Sequence, residues 1–279
     1  MLTTQNHDKN KNIFSRIYVA VKNRVLYFSL MHFSKSIKNQ KRNPNTIPIL
    51  IINYNQLFHL KQLIDFLLAR NFSNIIIVDN NSSYPPLLSY YSEIENKITI
   101  ERMDKNYGHM VFFENKALQY KYGKGYFVIT DADILPNPDL PIDFMSRMIN
   151  ILDNNYLRIT KAAFALRIDN IPDFYSLKEK VLSWEEKFWE IEVEPNVYSA
   201  QTDTTFALYK PFYPKWFNNL HFLSAFRIAG NYTAKHGGWY IDFANPTEEY
   251  LFYKATSTNS NSWKMDETGN LVGFLAKHV

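Results

Sequence analysis

The chain has 279 residues, of which 46% are hydrophobic and 16% aromatic, and it contains no cysteine. This length suits one large α/β domain or two small ones. The absence of cysteine excludes disulfides, cysteine-ligated zinc and thiol catalysis. Only 8 glycines are present. Neither G-x-G-x-x-G nor G-x-x-x-x-G-K-[ST] occurs, which argues against dinucleotide enzymes and P-loop NTPases. We expect no secretory signal peptide and no membrane-spanning run.

Basic residues are concentrated near the N-terminus. The formal net charge is +4, yet residues 1–46 hold nine Lys or Arg residues and one acid, a net charge of +8, which leaves −4 for the remainder. The sequence therefore predicts a basic arm, 1–46, attached to a mildly acidic domain, 47–279. The first 12 residues are polar, and no regular structure is predicted for them.

From Ile13 to about Ser36 the pattern is helical, with one broad apolar arc. The arc is formed by Ile13, Phe14, Ile17, Tyr18, Val21, Val25 and Phe28. Such a basic amphipathic helix lies either in a membrane interface or on the domain with its basic face in solvent. A nucleic-acid arm is disfavoured because the cations are widely spaced and no RNA-binding signature follows. Asn39–Thr46 is predicted to be a linker.

Strands and helices alternate between residues 47 and 131. Strands are predicted at Ile47–Ile52, Asn74–Val78, Lys97–Arg102 and Tyr126–Thr130, and helices at Leu57–Arg70, Tyr84–Tyr91 and Val111–Tyr122. Three of these strands are short apolar runs, which are typical of a buried parallel sheet. The βαβαβαβ order predicts an α/β fold with parallel strands and right-handed crossovers.

Polar residues follow each predicted strand. These clusters are Asn53–Asn55, Asp79–Ser83, Asn106–His109 and Asp131–Asp133. Because parallel strands end at the same edge of a sheet, we expect the four clusters to meet where open α/β sheets bind ligands.

Two aspartates, Asp131 and Asp133, end the most apolar strand and are followed by Pro136 and Pro138. Carboxylates suit Mg²⁺ or Mn²⁺, which take one or two of them together with substrate phosphates. The prolines are expected to prevent further strand pairing. The alternative is an acidic turn without a ligand. We favour a metal and phosphate site because the D-x-D motif follows a buried strand.

The second half of the chain has a less regular pattern. Helices are predicted at 140–152 and 176–190, and strands at 162–168 and 204–209. From Phe222 onward the sequence is rich in aromatic residues, and apart from a helix opened by Glu248 and Glu249 its pattern predicts no definite elements.

Three segments resemble the glycosyltransferases of the GT-A fold, close to family 2. They are IPILIINYN with IIIVDNNSS, then DKNYGH with NKAL, and TDADILPNP. The resemblance covers about residues 47–140 well, as a nucleotide-binding half, and 141–279 loosely, as an acceptor-binding half. It implies a Rossmann-like, mostly parallel central sheet flanked by helices.

The resemblance also implies a nucleoside-diphosphate sugar donor and a divalent metal that bridges its phosphates. Carried over to this sequence, Asn53 and Tyr54 would line the base or ribose, and Asp79 and Asn81 would contact the base. Asn106 and Gly108 would approach the nucleotide or sugar. Asp131 would hold hydroxyl groups and assist the metal, and Asp133 would be the main metal ligand. A third ligand, often histidine in this fold, would be His236.

An inverting transferase also needs a base for the acceptor hydroxyl. The usual family pattern for this base is missing, so the candidates are Asp203, Glu248, Glu249 and Asp242, each of which could equally be a turn or helix-capping acid. Trp239, Tyr240 and Trp263 could stack on sugars but are more typical of a core. Lys254, Lys264 and His109 are more typical of a surface.

The predicted function is hexosyl transfer from a nucleoside-diphosphate sugar, preferably a UDP-sugar, to a glycan or lipid-linked acceptor in cell-surface polysaccharide synthesis. Mn²⁺ or Mg²⁺ would be required. The reaction is expected to invert configuration, and retention is the alternative because no base is clearly identifiable. The expected location is cytoplasmic, with peripheral contact to the inner face of the membrane through residues 13–42. The alternatives are a non-catalytic glycan-binding or nucleotide-sugar-binding module of the same fold, and a metal-dependent nucleotidyltransferase.

Overall fold

The computed structural model describes residues 13–202, 205–217 and 221–257. The first half contains α1 Ile13–Phe33, α2 Lys35–Arg42, β1 Ile49–Asn53, α3 Phe58–Ala69, β2 Ile75–Asp79, α4 Pro85–Ile94, β3 Thr99–Arg102, α5 Val111–Glu114, α6 Lys116–Tyr122 and β4 Phe127–Asp131. The second half contains β5 Ile134–Pro136, α7 Phe144–Asn154, β6 Lys161–Leu166, α8 Lys178–Glu186, β7 Glu192–Glu194, β8 Val197–Gln201, β9 Ala207–Tyr209, β10 Ser224–His236 and α9 Glu248–Thr256.

One continuous sheet joins the two halves, with strand order β3-β2-β1-β4-β9-β6-β10-β8-β7. Strand β1 pairs in parallel with β2 and β4, and β2 pairs in parallel with β3. The predicted parallel arrangement of the first four strands is therefore confirmed. All residues of β1 and β2 are buried, which accounts for their continuous apolar sequence.

The second half contains the two predicted strands, as β6 and β9, and adds β5, β7, β8 and β10, which the sequence pattern did not indicate. Strand β9 lies antiparallel between β4 and β6, and the long strand β10 pairs with β6 on one side and β8 on the other. The expectation that the prolines prevent further pairing was wrong. Strand β5 pairs antiparallel with the end of β10, with Pro136 opposite Ala234. Pro136 is tolerated because it is the last residue of a short strand that pairs only with β10.

The predicted N-terminal helix is present, but it ends at Phe33, and Ser34 then caps α2 by accepting a hydrogen bond from the Ile37 amide. The prediction of a linker at Asn39–Thr46 was wrong. Helix α2 continues to Arg42, and a 3₁₀ turn follows at Pro44–Thr46. Gln40 is buried, and its amide group both donates to the Tyr126 carbonyl and accepts from the Tyr126 amide at 2.9 Å. This segment is therefore firmly attached to the start of β4.

Helix α1 packs on the domain through a cluster around Asp153, at the end of α7. The Asp153 carboxylate accepts hydrogen bonds from the hydroxyls of Tyr27 and Tyr126 and forms an ion pair of 2.5 Å with Lys41. Burial, followed by the negative charge of Asp153, raises the pKa of both tyrosines, so both remain protonated donors. Tyr27 also stacks on Tyr156, with 3.7 Å between ring centres.

The face of α1 that packs is not the predicted apolar arc. Asn23 and Leu30 are buried, whereas Ile17, Val21 and Phe28 of the arc are exposed to solvent. Among the described residues, no helix combines the length and the apolar character needed to cross a bilayer.

Candidate functional site

The ends of the parallel strands bring three predicted site residues together. In the strand register, Asn53 lies opposite Asp79, Ile52 lies opposite Asp131, and Asp79 lies opposite Arg102. Asp79, Asn53 and Asp131 therefore lie side by side at the ends of β2, β1 and β4, at one edge of the sheet. The expectation that the polar clusters share this edge is confirmed for these strands.

Asn53 and Asp79 are joined by a buried tyrosine that no sequence motif indicated. The Tyr91 hydroxyl accepts a hydrogen bond of 2.9 Å from the Asn53 amide and donates one of 2.9 Å to Asp79. Burial and the Asp79 charge raise the pKa of Tyr91. Asp79 also accepts from the Ser82 amide, whereas the buried Asn53 Oδ1 finds no partner among the described residues.

Asn55 connects the loops that follow β1 and β2. Its side-chain oxygen accepts hydrogen bonds from the backbone amides of Ser83 at 2.7 Å and Tyr84 at 3.0 Å, and its backbone amide donates to the Ser82 hydroxyl at 2.8 Å. Asn55 is fully buried and has a positive φ of 51°, which asparagine tolerates better than most residues. Asn55 therefore holds the loops after β1 and β2 in place.

The loop after β3 is attached to the end of β2 by Asn80, which lies between the predicted base contacts Asp79 and Asn81. The side chain of the buried Asn80 donates to the Gly108 carbonyl at 3.1 Å and accepts from the Tyr107 amide at 3.3 Å. Asn106 accepts from the Gly108 amide at 2.8 Å, which closes the turn at a positive φ of 75°. Asn81, which was predicted to contact the base, is exposed.

Helix α9 lies against the loop after β1. The Tyr54 hydroxyl donates to the Thr256 carbonyl, and the Asn55 amide donates to the Thr256 hydroxyl, both at 3.0 Å. Phe252 packs on Tyr84, with 5.1 Å between ring centres. The last described helix thus borders the predicted nucleotide crevice. Sequence periodicity did not indicate this position of the helix.

Asp133 and His236, which are 103 residues apart in the sequence, meet where β5 pairs with the end of β10. His236 Nδ1 lies 3.5 Å from Asp133 Oδ2, and the same oxygen accepts from the Gly238 amide at 3.2 Å. Trp239 stacks on the His236 ring at 5.0 Å and an angle of 11°. His236 Nδ1 is buried and finds no hydrogen-bond partner among the described residues.

A second histidine, His59 in the first turn of α3, packs on Gly237. A Cβ added at Gly237 would lie 2.4 Å from His59 Cε1, so only glycine allows this approach. Burial lowers the pKa of His59; the Asp133 charge opposes this, and His236 reinforces it. Sequence reasoning missed His59. A polar residue in the first turn after β1 was the only available signal.

Asp133 and His236 fit a divalent metal. Their facing atoms are 3.5 Å apart, near the roughly 3 Å that separates neighbouring ligands of an octahedral Mg²⁺ ion. The unpartnered Nδ1 leaves a lone pair available for such an ion. Asp131 ends β4 and is partly exposed. Among the described residues no group of three His, Cys, Asp or Glu side chains is arranged to hold a metal.

The proposed bases lie in different settings. Glu249 accepts hydrogen bonds of 3.0 and 3.3 Å from the Phe58 amide and thereby caps α3, and burial raises the pKa of its carboxyl. Glu248 is exposed in the first turn of α9. The Asp242 carboxylate accepts from the Asn245 side chain and the Ala244 amide, which lowers its pKa. Asp203, Trp263 and Lys264 lie outside the described residues.

An open cavity of about 500 Å³ lies beyond the end of β6. Its lining residues are Ile168, Glu179, Leu182, Ser183, Glu186 and Trp189. The Arg167 amide donates to the Ala234 carbonyl at 2.8 Å. The cavity therefore lies towards the same edge of the sheet as His236. It combines an aromatic surface with carboxylates and carries no cationic lining residue.

The fold and the two polar regions define an α/β protein with a nucleotide-type sheet edge beside a site suited to a divalent metal. The sequence model of the family "Glycosyl transferase family 2" matches residues 49–204, which is more than half of the 279 residues. The chain therefore belongs to glycosyl transferase family 2. The predicted family and its GT-A fold class are thereby confirmed.

Solved structures that this chain matches include TarS residues 1–349 from S. aureus, at 12% identity and a TM-score of 0.36; the match covers 59% of this chain and 47% of TarS 1–349. Another is the mannosyltransferase PcManGT from Pyrobaculum calidifontis, in complex with GDP-Man and Mn²⁺, at 16% identity and a TM-score of 0.42, covering 85% of this chain and 71% of that one. No protein with a curated description matches the sequence.

Proposed function

We propose that this chain is a metal-dependent transferase that moves a hexose from a nucleoside-diphosphate sugar to a glycan or lipid-linked acceptor. The observation that carries the proposal is the pairing of Asp133 with a buried, unpartnered nitrogen of His236. Asp133 follows β4, which pairs with β1, and Asn53 is the last residue of β1. A metal at this pair would lie beside a site for the nucleotide, as phosphate-bound Mg²⁺ or Mn²⁺ requires.

Asp133 and His236 would hold the metal, with Asp131 assisting. When bound, the metal would neutralise the charge of the diphosphate leaving group. Asp133 is already oriented by the Gly238 amide, and Trp239 fixes the plane of the His236 ring. These contacts would preorganise the two ligands before the donor arrives.

The donor would bind along the strand ends. Asn53 and Tyr54 would line the base or ribose, Asp79 and Asn81 the base, and Asn106 and Gly108 the nucleotide or sugar. The unpartnered Asn53 Oδ1 supports this assignment because a buried acceptor without a donor is costly. We propose a UDP-sugar as the donor.

The acceptor would enter from the second half of the chain. The cavity lined by Trp189, Glu179 and Glu186 supports a saccharide acceptor, since indole rings stack on sugar faces and carboxylates accept from hydroxyls. For an inverting reaction the base would be Asp203, Glu248 or Glu249. We place Glu248 ahead of Glu249 because the Glu249 carboxylate already caps α3.

The proposed role is the synthesis of a cell-surface polysaccharide at the cytoplasmic side of the membrane, where the enzyme would be a peripheral protein. The basic N-terminal segment supports this location because cations attract the anionic lipids of the inner leaflet.

Thermal shift with a panel of nucleoside diphosphates, each with and without Mn²⁺, tests the proposal. A ligand that binds only the folded state raises the unfolding midpoint. We expect one nucleotide to give an Mn²⁺-dependent shift that Asp133→Ala abolishes. If no nucleotide shifts the midpoint, the transferase proposal fails and glycan binding becomes the better assignment. Release of pyrophosphate from a nucleoside triphosphate would instead identify a nucleotidyltransferase.

A further inference from the structure

Helix α1 presents an uncovered apolar strip on the side facing away from the domain. The strip consists of Ile17, Tyr18, Val21, Val25 and Phe28, which are between 54% and 67% exposed. At 100° per residue these five side chains fall within about a quarter of the helix circumference. Phe33, 76% exposed, follows at the end of the helix.

The strip plays no part in attaching α1 to the domain. That attachment uses Asn23, Tyr27, Leu30 and Met31, on the opposite side of the helix. The anchored face already satisfies the packing of the helix, so an additional row of large apolar side chains in water is unexplained by the fold. Exposed apolar rows of this size mark an interaction surface.

The charges around the strip are all of one sign. Residues 13–42 include seven Lys or Arg residues and no Asp or Glu. Lys22 and Arg24 are exposed and lie on either side of the strip when projected along the helix. Lys35 and Lys38 add exposed cations on α2, immediately after the helix.

We propose that this strip is a membrane-docking surface that binds anionic phospholipid, with its apolar side chains among the acyl chains and the flanking cations at the headgroups. A second copy of the chain fits less well, because two facing strips would bring Lys22 and Arg24 of each copy together with no acid of residues 13–42 to compensate. This inference rests on the proposed peripheral location at the membrane. It adds which surface of the chain binds the membrane and which class of lipid that surface prefers.

Co-sedimentation of the full chain with vesicles tests the docking surface. We expect binding to vesicles of phosphatidylglycerol and phosphatidylcholine, much weaker binding to pure phosphatidylcholine, and weakening by salt. The double variant Val21→Glu and Val25→Glu should lower the partition coefficient roughly 100-fold or more. The matched control changes two exposed isoleucines elsewhere, Ile142→Glu and Ile191→Glu, and should bind like the wild type.

Removing the flanking cations separates charge from apolar burial. Lys22→Ser with Arg24→Ser should weaken binding to the anionic vesicles and reduce its dependence on salt. Equal binding by the wild type and the Val21/Val25 variant would overturn the proposal. So would a concentration-dependent dimer that this variant dissolves, since the strip would then join two copies. Vesicle binding requires no sugar transfer, so a failed transferase assignment and a failed docking surface are distinguishable.

Discussion

The loops after β1 and β2 and the corner formed by Asp133 and His236 differ in how their polar groups are satisfied. Around Asn55 and Asp79, side chains accept from backbone amides and from each other, and Asn53 Oδ1 alone remains unpartnered in that network. At the Asp133 corner, a carboxylate and an imidazole face each other at 3.5 Å without a hydrogen bond. The first region is held in place by its own hydrogen bonds, whereas the second keeps a buried nitrogen without a partner among the described residues, as a site proposed for a metal would.

This difference predicts different consequences of mutation. In a satisfied network, removal of one side chain leaves buried partners unpaired and lowers stability. In an open pair, the same change removes a ligand and leaves the packing largely intact. Substitutions in the two regions should therefore separate stability from activity.

The largest effect is expected at the open corner. Asp133→Asn keeps the size of the side chain and removes the charge that a metal requires, so we expect sugar transfer to fall on the order of 100-fold or more. The unfolding midpoint without metal should change little, and the Mn²⁺-dependent shift should disappear. Asp139→Asn, an exposed acid on the same segment, is the control. A large loss of stability in Asp133→Asn would contradict the comparison.

The satisfied network is broken most directly at Asn55. Asn55→Ala removes acceptors for two backbone amides and a donor to Thr256 and leaves alanine at a positive φ. We expect a loss of about 3 kcal/mol in the free energy of unfolding, measured in urea. Asn81→Ala shares the positive φ of 63° but is exposed, so it should cost about 1 kcal/mol. Equal losses would show that the hydrogen bonds of Asn55 contribute nothing.

The contact of His59 with Gly237 links the two regions and is expected to have a smaller effect. Gly237→Ala would force its Cβ into the His59 ring, at a cost of about 1–3 kcal/mol. His59→Ala opens the space, so the double variant should recover stability relative to Gly237→Ala alone. Additive losses in this double-mutant cycle would rule out a steric conflict between the two residues.

The smallest effect concerns the cap of α3. Burial raises the pKa of Glu249 above its ordinary value of 4.5. The folded chain thus holds this proton more tightly than the unfolded chain, and the resulting stability is lost as pH rises through the folded pKa. The stability of the wild type relative to Glu249→Gln should therefore decrease as pH rises from below 4.5 towards neutrality. A difference that grows with pH would contradict a raised pKa.

Elements with a clear local pattern could be predicted from the sequence, whereas contacts made by tertiary packing could not. Strands β1, β2 and β4 are short, buried and apolar, and each is followed by its own polar cluster, so local pattern and chain order were sufficient for the parallel core. Asn80, Tyr91 and His59 were missed because their roles depend on which loop or helix packs on them. No periodicity encodes such contacts.

In the second half, β10 pairs with strands that are far away in the sequence, so local sequence patterns did not predict it. Strand β10 runs for 13 residues and pairs with β5, β6 and β8. Its Gly230 and aromatic residues hide the pattern of a single strand. His236 was still identified, because the resemblance to the family implied a histidine from this region. The packing of His59 on Gly237, next to His236, could not be predicted.

If α1 docks on a bilayer as proposed, its anchoring near the start of β4 determines how far the rest of the chain lies from the lipid. Asp153 and Gln40 hold α1 and α2 at the edge where the parallel strands begin, whereas Asp131 and Asp133 follow the other end of β4. A strand of five residues spans about 16 Å, and a helix adds about 10 Å. If the strip lies on a membrane, the corner formed by Asp133 and His236 would lie on the order of 25 Å from the lipid. At such a distance from the lipid, the proposed site would favour the growing end of an extended glycan as acceptor over a sugar attached directly to a lipid headgroup.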